Sequence, residues 1–132
     1  MRAALALAVL LVTPAYADCL SYTGRVELAG VLARRTYPGP PNYESVARGD
    51  RPETAWLLRL DRSACVAAEA GDATGFNVAV AAVREVQLVV TPEQVQRYRG
   101  RVGQRVALTG ALFGAHTGHH HTPVLLGDVQ FR

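Results

Sequence analysis

The chain of 132 residues contains no lysine, and its 14 basic side chains are all arginine. It has two cysteines, one tryptophan and one methionine. The formal net charge is +3 and the arginines are scattered, so the charge gives no support to nucleic-acid or anionic-membrane binding. The sequence also lacks a P-loop, a dinucleotide-binding glycine motif and a paired C-x-x-C zinc motif. Since 49% of the residues are hydrophobic, the chain can form a packed core, and its length and composition indicate one small globular domain.

The start of the chain has the pattern of a secretory signal. An apolar run over residues 3–12 follows Arg2 and is too short to cross a bilayer as a helix. Small residues flank a tyrosine at residues 15–17, which fits a cleavage site. We therefore predict a signal peptide over residues 1–17, with an uncleaved anchor as the alternative. Residues 18–132 would form a single exported domain with no membrane span, in the bacterial periplasm or secreted.

Cys19 and Cys65 are the two cysteines of the predicted mature chain. An even cysteine count in an exported chain favours one disulfide. Closing so long a loop stabilises the fold by about 3–4 kcal/mol on chain entropy. A reactive or metal-binding thiol pair is the alternative, although the wide spacing lacks any C-x-x-C signature.

Alternation of apolar and polar residues with a period of two dominates the mature chain and predicts strands. The predicted strands cover residues 23–36, 54–61, 83–90, 102–113 and 124–131, with Trp56 facing inward, while residues 66–82 are ambiguous. One short helix is predicted after Thr91, which is a candidate N-cap. Pro92 suits the first helical position, Gln94 completes a capping box, and Gly100 suits the end of the helix.

This order of elements predicts an all-β fold with one short helix, namely a five-stranded OB-like Greek-key barrel. The long first strand has glycines at positions 24 and 30 that would let it bend through both halves of the barrel. A hairpin of the first two strands would bring Cys19 near Cys65, which agrees with the predicted disulfide. Another small β-barrel or a β-sandwich is the alternative.

Two predicted loops contain the polar residues of greatest interest. The proline-rich segment 37–53 joins the first two strands, and the histidine-rich segment 114–123 joins the last two. In an OB-type barrel these loops flank the usual ligand-binding face. The ligand-binding candidates of the first loop are Tyr43, Glu44, Asp50 and Glu53.

All four histidines lie in the second loop, and neutral imidazole is a common ligand for zinc or copper. In an extended segment residues i and i+2 share a face, so His119 and His121 could bind one ion while His120 points away. His116 could approach after the turn at Gly118. The candidate metal ligands are therefore His116, His119 and His121. The alternatives are a hydrogen-bonded loop that supports an organic ligand or a protein partner, and a response to pH.

Catalysis has less support in the sequence. No serine of the mature chain lies in a G-x-S-x-G motif, and no activated nucleophile is evident. Glu44 with a histidine could form an acid/base pair in a hydrolase, but nothing in the sequence fixes their separation. Enzymatic activity is therefore uncertain, and the sequence favours a protein that is not an enzyme.

Several segments resemble an uncharacterised domain family of small secreted bacterial proteins. The similar stretches are CLSY at 19–22, PGPPNYES at 38–45, GDRPETAW at 49–56, EVQLVV at 85–90 and GALFGAHTGHHHTPVLL at 110–126. The family has no established activity, and some members are joined to a lysozyme-inhibitor-like domain, which implies an envelope location. A bulkier residue is expected at position 114, where this chain has glycine, so one wall of the loop would be opened.

Together these observations predict an exported binding module that uses the 37–53 and 114–123 loops to bind a ligand, with a divalent metal as one candidate. The alternative is an inhibitor-like envelope protein that binds a protein partner through the same face. Nucleic acid is not an expected partner.

Overall fold

The computed structural model describes residues 8–9 and 18–132. The predicted signal peptide therefore lies outside the described residues, apart from residues 8–9. No helix in the part of the chain that is described is long and apolar enough to cross a membrane.

Five strands form a closed barrel, as the alternation predicts. The strands are β1 (Val26–Pro38), β2 (Pro52–Val66), β3 (Val80–Leu88), β4 (Arg105–Gly114) and β5 (Val124–Phe131). Their order around the barrel is β1-β2-β3-β5-β4, with β1 paired to β4 to close it. All neighbours are antiparallel except β3 and β5, which are parallel. This arrangement, with helix α1 (Pro92–Tyr98) between β3 and β4, confirms the OB-like Greek-key prediction.

The start of α1 follows the predicted capping box. The Thr91 side chain accepts a hydrogen bond from the backbone N–H of Gln94, and the Gln94 side chain accepts one from the backbone N–H of Thr91. The α-helix ends at Tyr98 with Arg99 as its C-cap, so Gly100 directly follows the helix end, as predicted. The chain continues through a 3₁₀ turn, Arg99–Arg101, and the glycine with a positive φ is Gly103, at 88°.

Strand β2 is longer than predicted at both ends. Alternation is lost at Asp61-Arg62-Ser63, but the pairing with β3 shifts register between Arg59 and Ala64, so a bulge absorbs these polar residues. At the other end Tyr37 of β1 pairs with Glu53 of β2. Both residues are therefore in strands, and the loop between β1 and β2 is restricted to residues 39–51.

The inward side chains of all five strands form one apolar core. Leu32, Leu58, Leu108 and Leu126 are completely buried, and Trp56 is inward as predicted. Leu57 and Leu125 are also buried, although they alternate with the inward Leu58 and Leu126 and lie outside this core cluster. Apolar side chains are therefore also covered on the outer face of the sheet.

The predicted disulfide between Cys19 and Cys65 is present. Cys65 lies inside β2, near its end, and the backbone around it pairs with the segment before β1. The N–H of Leu20 donates to the carbonyl of Cys65, and the N–H of Ala67 donates to the carbonyl of Leu20. The covalent link and this short bridge together anchor the chain before β1 to the barrel.

The expectation of an opened wall at Gly114 is wrong. A Cβ atom at this position would lie 1.8 Å from the carbonyl oxygen of Phe76, so the segment between β2 and β3 packs directly on the glycine. The Gly114 N–H donates to the side chain of Asn77 at 2.8 Å. The wall is closed by backbone from another loop rather than by a side chain at position 114.

This contact gives a prediction for stability. We expect Gly114→Ala to lower the free energy of unfolding by about 1–3 kcal/mol, because the added methyl group must displace the backbone at Phe76. Gly100→Ala is the matched control, since a Cβ added there would have no atom within 4 Å and its φ is not positive. Urea unfolding of both variants checks the prediction. Equal effects at the two positions would contradict it.

Candidate functional site

Asp50 organises the loop between β1 and β2 from inside. Its carboxylate accepts hydrogen bonds from the backbone N–H groups of Asn42, Glu44 and Ser45, each at 2.9 Å. The bonds from Ser45 and Glu44 in particular hold the pKa of Asp50 below its ordinary value. The side chain is buried, so this sequence-predicted ligand residue is occupied in shaping the loop.

Tyr43 reaches from this loop to the histidine loop. Its φ of 57° is uncommon for a residue other than glycine. The ring lies against Gly118, where a Cβ would come within 2.8 Å of the ring atoms. The Tyr43 hydroxyl is 3.2 Å from Nε2 of His119, and the two rings meet edge to face. A glycine at position 118 is therefore needed for the two loops to approach this closely.

Glu53 joins β2 to the histidine loop through both carboxylate oxygens. Oε1 lies 2.6 Å from Nε2 of His121, and Oε2 lies 2.7 Å from Nδ1 of His119. The ring of Tyr37 stacks on His121 with 4.1 Å between the ring centroids. His119 and His121 share a face, as their spacing predicts, and that face is turned to Glu53.

Two opposed effects act on the Glu53 carboxyl. Burial raises its pKa, whereas hydrogen bonds from His121 and His119, together with the charges of these rings, lower it. The histidine contributions prevail, so the pKa of Glu53 lies below its ordinary value. The carboxylate form is therefore favoured by the fold.

Gln87 of β3 holds the backbone of the histidine loop and was missed by sequence reasoning. Its side-chain amide donates to the carbonyl of His119 at 2.9 Å and accepts from the N–H of His121 at 2.6 Å. Its backbone N–H donates to the hydroxyl of the buried Thr122 at 3.0 Å. The only sequence signal for Gln87 is a polar residue within EVQLVV, which alternation places on the outer face.

His116 and His120 form a separate pair. Nδ1 of His120 accepts from the backbone N–H groups of His116 and Thr117, at 2.9 and 3.2 Å. Nδ1 of His116 is 3.0 Å from the carbonyl of Gly114, and its ring stacks near Phe76. Burial, and then the nearby histidine charges, lower the pKa of His120. This pair does not contact Glu53.

Glu44 is exposed, and its side chain makes no hydrogen bond or ion pair with other described residues. The acid/base pair of Glu44 with a histidine does not form, because His119 and His121 face Glu53, whereas His116 and His120 face each other. Of the eight loop residues considered from the sequence, the structure brings four together, namely Tyr43, Glu53, His119 and His121.

A cleft of about 610 Å³ adjoins this cluster. Apolar residues form much of its lining: Ala55, Trp56, Leu88, Val89, Val90, Val95 and Leu125. Its polar lining consists of Arg34, Thr54, Gln87, His119 and His120. His119 therefore belongs both to the cleft and to the cluster around Glu53.

The geometry around Glu53 is that of hydrogen bonds. Each imidazole nitrogen is directed at a different carboxylate oxygen, at 2.6 and 2.7 Å. His116 lies in the other histidine pair, so the three proposed metal ligands do not converge. Among residues 8–9 and 18–132, no group of three or more His, Cys, Asp or Glu side chains is arranged to hold a metal ion.

Comparison with known families confirms the expected resemblance to a domain of unknown function. Residues 85–130 match the model of the domain of unknown function DUF4431. The matched segment includes Gln87 and the whole histidine loop but not Glu53 or Tyr43. No curated protein matches the chain.

The bridge made by Glu53 gives a prediction for stability. We expect Glu53→Gln to lower the free energy of unfolding by about 1–3 kcal/mol, because hydrogen bonds to a charged group are lost at a half-buried site. Glu44→Gln removes the same charge from the neighbouring loop where no side-chain bond exists, and should change stability by less than about 0.5 kcal/mol. Urea unfolding at neutral pH measures both. Similar values for the two variants would refute a bridging role.

The same carboxylate predicts a pH dependence. A lowered folded-state pKa stabilises the protein above the ordinary glutamate value of about 4.3, and this contribution is lost as the pH falls through the folded-state value. The wild type should therefore lose more stability than Glu53→Gln between about pH 5 and about pH 3. Asp50, whose pKa is also lowered, contributes to both proteins, so the comparison isolates Glu53. Parallel stability curves over this range would contradict the assignment.

Proposed function

We propose, starting from the match of residues 85–130 to DUF4431, that this protein is an exported module that binds a small ligand in the cleft beside its two loops. The observation that carries the proposal is the position of His119. Its side chain lines the cleft and is held by Glu53 and Tyr43 from the other side of the site. The histidine loop thus forms one wall of a concave surface, and Tyr43 of the first loop and Glu53 of β2 support that wall through His119.

The size and lining of the cleft support this proposal. Ligand sites are concave, measure about 300–1,000 Å³, and combine a largely apolar lining with a few placed polar groups. The cleft has a volume of about 610 Å³ and this mixture of side chains. It also lies where an OB-type barrel commonly binds ligands, beside the loops that join β1 to β2 and β4 to β5.

The fixed position of His119 also supports the proposed binding function. Both ring nitrogens of His119 have partners within the protein, and Gln87 holds its backbone carbonyl. Fixing a wall of the cleft in advance reduces the entropy lost when a ligand binds. The hydrogen bonds around Glu53 therefore serve to shape a cleft.

The disulfide supports the proposed location. Disulfides persist in oxidising compartments such as the periplasm and the extracellular space. Together with the predicted signal peptide over residues 1–17, the link between Cys19 and Cys65 favours export. A periplasmic or secreted protein is therefore part of the proposal.

Blocking the cleft tests the proposal. Thr54 is exposed and lines the cleft, so Thr54→Trp should fill part of it without disturbing the core. We expect the wild type to bind an apolar fluorescent probe, either phenylnaphthylamine or its sulfonated form anilinonaphthalene sulfonate, at one site. Thr54→Trp should weaken this binding about tenfold or more, because the aromatic ring occupies the volume that the probe needs.

Thr36→Trp is a suitable control, since Thr36 is exposed opposite Thr54 on β1 but does not line the cleft. Circular dichroism should show that both variants are folded. The proposal would be rejected if neither probe bound saturably, or if binding were the same in the wild type and in Thr54→Trp. Retention of an envelope protein on a wild-type column, with no probe binding, would favour the protein-partner alternative.

Zinc or copper binding at the histidine loop is the second proposal, and it requires an ion to displace the hydrogen bonds that join Glu53 to His119 and His121, since the described side chains are not arranged around a metal position. If an ion displaces the hydrogen bonds there, His119→Ala and His121→Ala should each weaken zinc affinity at least about tenfold, because each removes one ligand. His120→Ala should have a smaller effect, since His120 is paired with His116 and not with Glu53. Calorimetric titration with zinc and with copper measures these affinities. The absence of saturable binding to the wild type would refute metal binding here.

A further inference from the structure

The formal charge in the lining of the cleft is of one sign, and it is positive. Arg34 is the formally charged residue of its lining, and no aspartate or glutamate lines it. Arg34 is exposed and has no ion-pair or hydrogen-bond partner among residues 8–9 and 18–132. By contrast Arg35, the next residue, is paired bidentately with Glu85 at 2.6 and 2.7 Å. The guanidinium group at the cleft therefore has its donors available.

His120 is also among the residues that line the cleft, and its tautomer supplies a second donor. Its Nδ1 accepts two backbone N–H groups, so this nitrogen carries no proton. In the neutral ring the proton must then be on Nε2. That nitrogen has no hydrogen-bond partner among the described residues, and no side-chain nitrogen or oxygen there is both buried and unpartnered. Nε2–H of His120 is consequently a donor with access to solvent.

The remaining polar groups are largely engaged by the protein itself. The two ring nitrogens of His119 face Glu53 and Tyr43, and the Gln87 amide holds the histidine loop. Among the charged and imidazole groups of the lining, Arg34 and His120 therefore retain free hydrogen-bonding groups, and these groups are donors. Beneath these donors the lining is apolar, with Trp56, Val90 and Val95 among its members.

We infer that the cleft takes a small organic anion with an apolar body, such as an aryl carboxylate or sulfonate, whose anionic group is bound by Arg34 and by Nε2–H of His120. The inference rests on the proposed function, since it assigns the ligand class of the same cleft. An anion accepts hydrogen bonds but does not donate them, which matches the free groups present. A planar guanidinium suits carboxylate and sulfonate groups because it can donate two parallel hydrogen bonds.

A pair of probes that differ only in the anionic group tests the inference. Anilinonaphthalene sulfonate is phenylnaphthylamine with one added sulfonate, so the ratio of their affinities measures the contribution of the charge. We expect the wild type to bind the sulfonate at least about tenfold more tightly, as charge-assisted hydrogen bonds contribute on this scale. Arg34→Gln should weaken sulfonate binding by a similar factor and change the affinity for phenylnaphthylamine much less. Arg34→Lys should restore part of the loss because it retains the charge.

Arg99→Gln is the matched control, because Arg99 is exposed and does not line the cleft. It should leave both affinities unchanged. Equal binding of the two probes, both lost in Thr54→Trp, would overturn the inference while leaving a ligand-binding cleft in place. No binding of either probe would refute the proposed function itself. Equal losses of sulfonate affinity in Arg34→Gln and Arg99→Gln would indicate nonspecific charge attraction and would also overturn the inference.

Discussion

The carboxylate of Glu53 lies between two imidazoles, and the shape of the site depends on this contact. Glu53 is anchored in β2, opposite Tyr37 of β1, so it is fixed by the barrel rather than by a loop. His119 and His121 are therefore positioned relative to the sheet by hydrogen bonds of 2.6 and 2.7 Å. The pairing of β1 with β2 thus fixes the position of the cleft wall. The conformation of the histidine loop therefore depends on the stability of the barrel.

The histidine loop divides its four rings by function. His119 and His121 face Glu53, whereas His116 and His120 face each other and the aromatic rings of Phe76 and Phe113. Alternation along an extended segment places successive side chains on opposite sides, so three consecutive histidines cannot all face one partner. One short segment can thus connect the barrel to the first loop and also contribute a free donor to the cleft.

Much of the fold follows from local patterns, because alternation and capping act over a few residues. The helix start at Thr91 and the inward position of Trp56 are examples. The extension of β2 past Asp61 could not be predicted, since the bulge depends on the pairing with β3. Gln87 was missed, and the packing at Gly114 was predicted wrongly, for a related reason: their partners are more than thirty residues away along the chain, and no local pattern contains that information.

The parallel contact between β3 and β5 consists of two residue pairs, Gln87 with Leu125 and Leu88 with Leu126. The bonds from Gln87 to His119, His121 and Thr122 extend this contact into the histidine loop. The last strand, β5, therefore packs along β3 at the seam where Gln87 also positions the cleft wall. Docking of β5 and formation of the cleft wall are therefore linked through Gln87, so a state with β5 undocked would lack this wall, and a ligand bound in the proposed site would slow the opening of the seam.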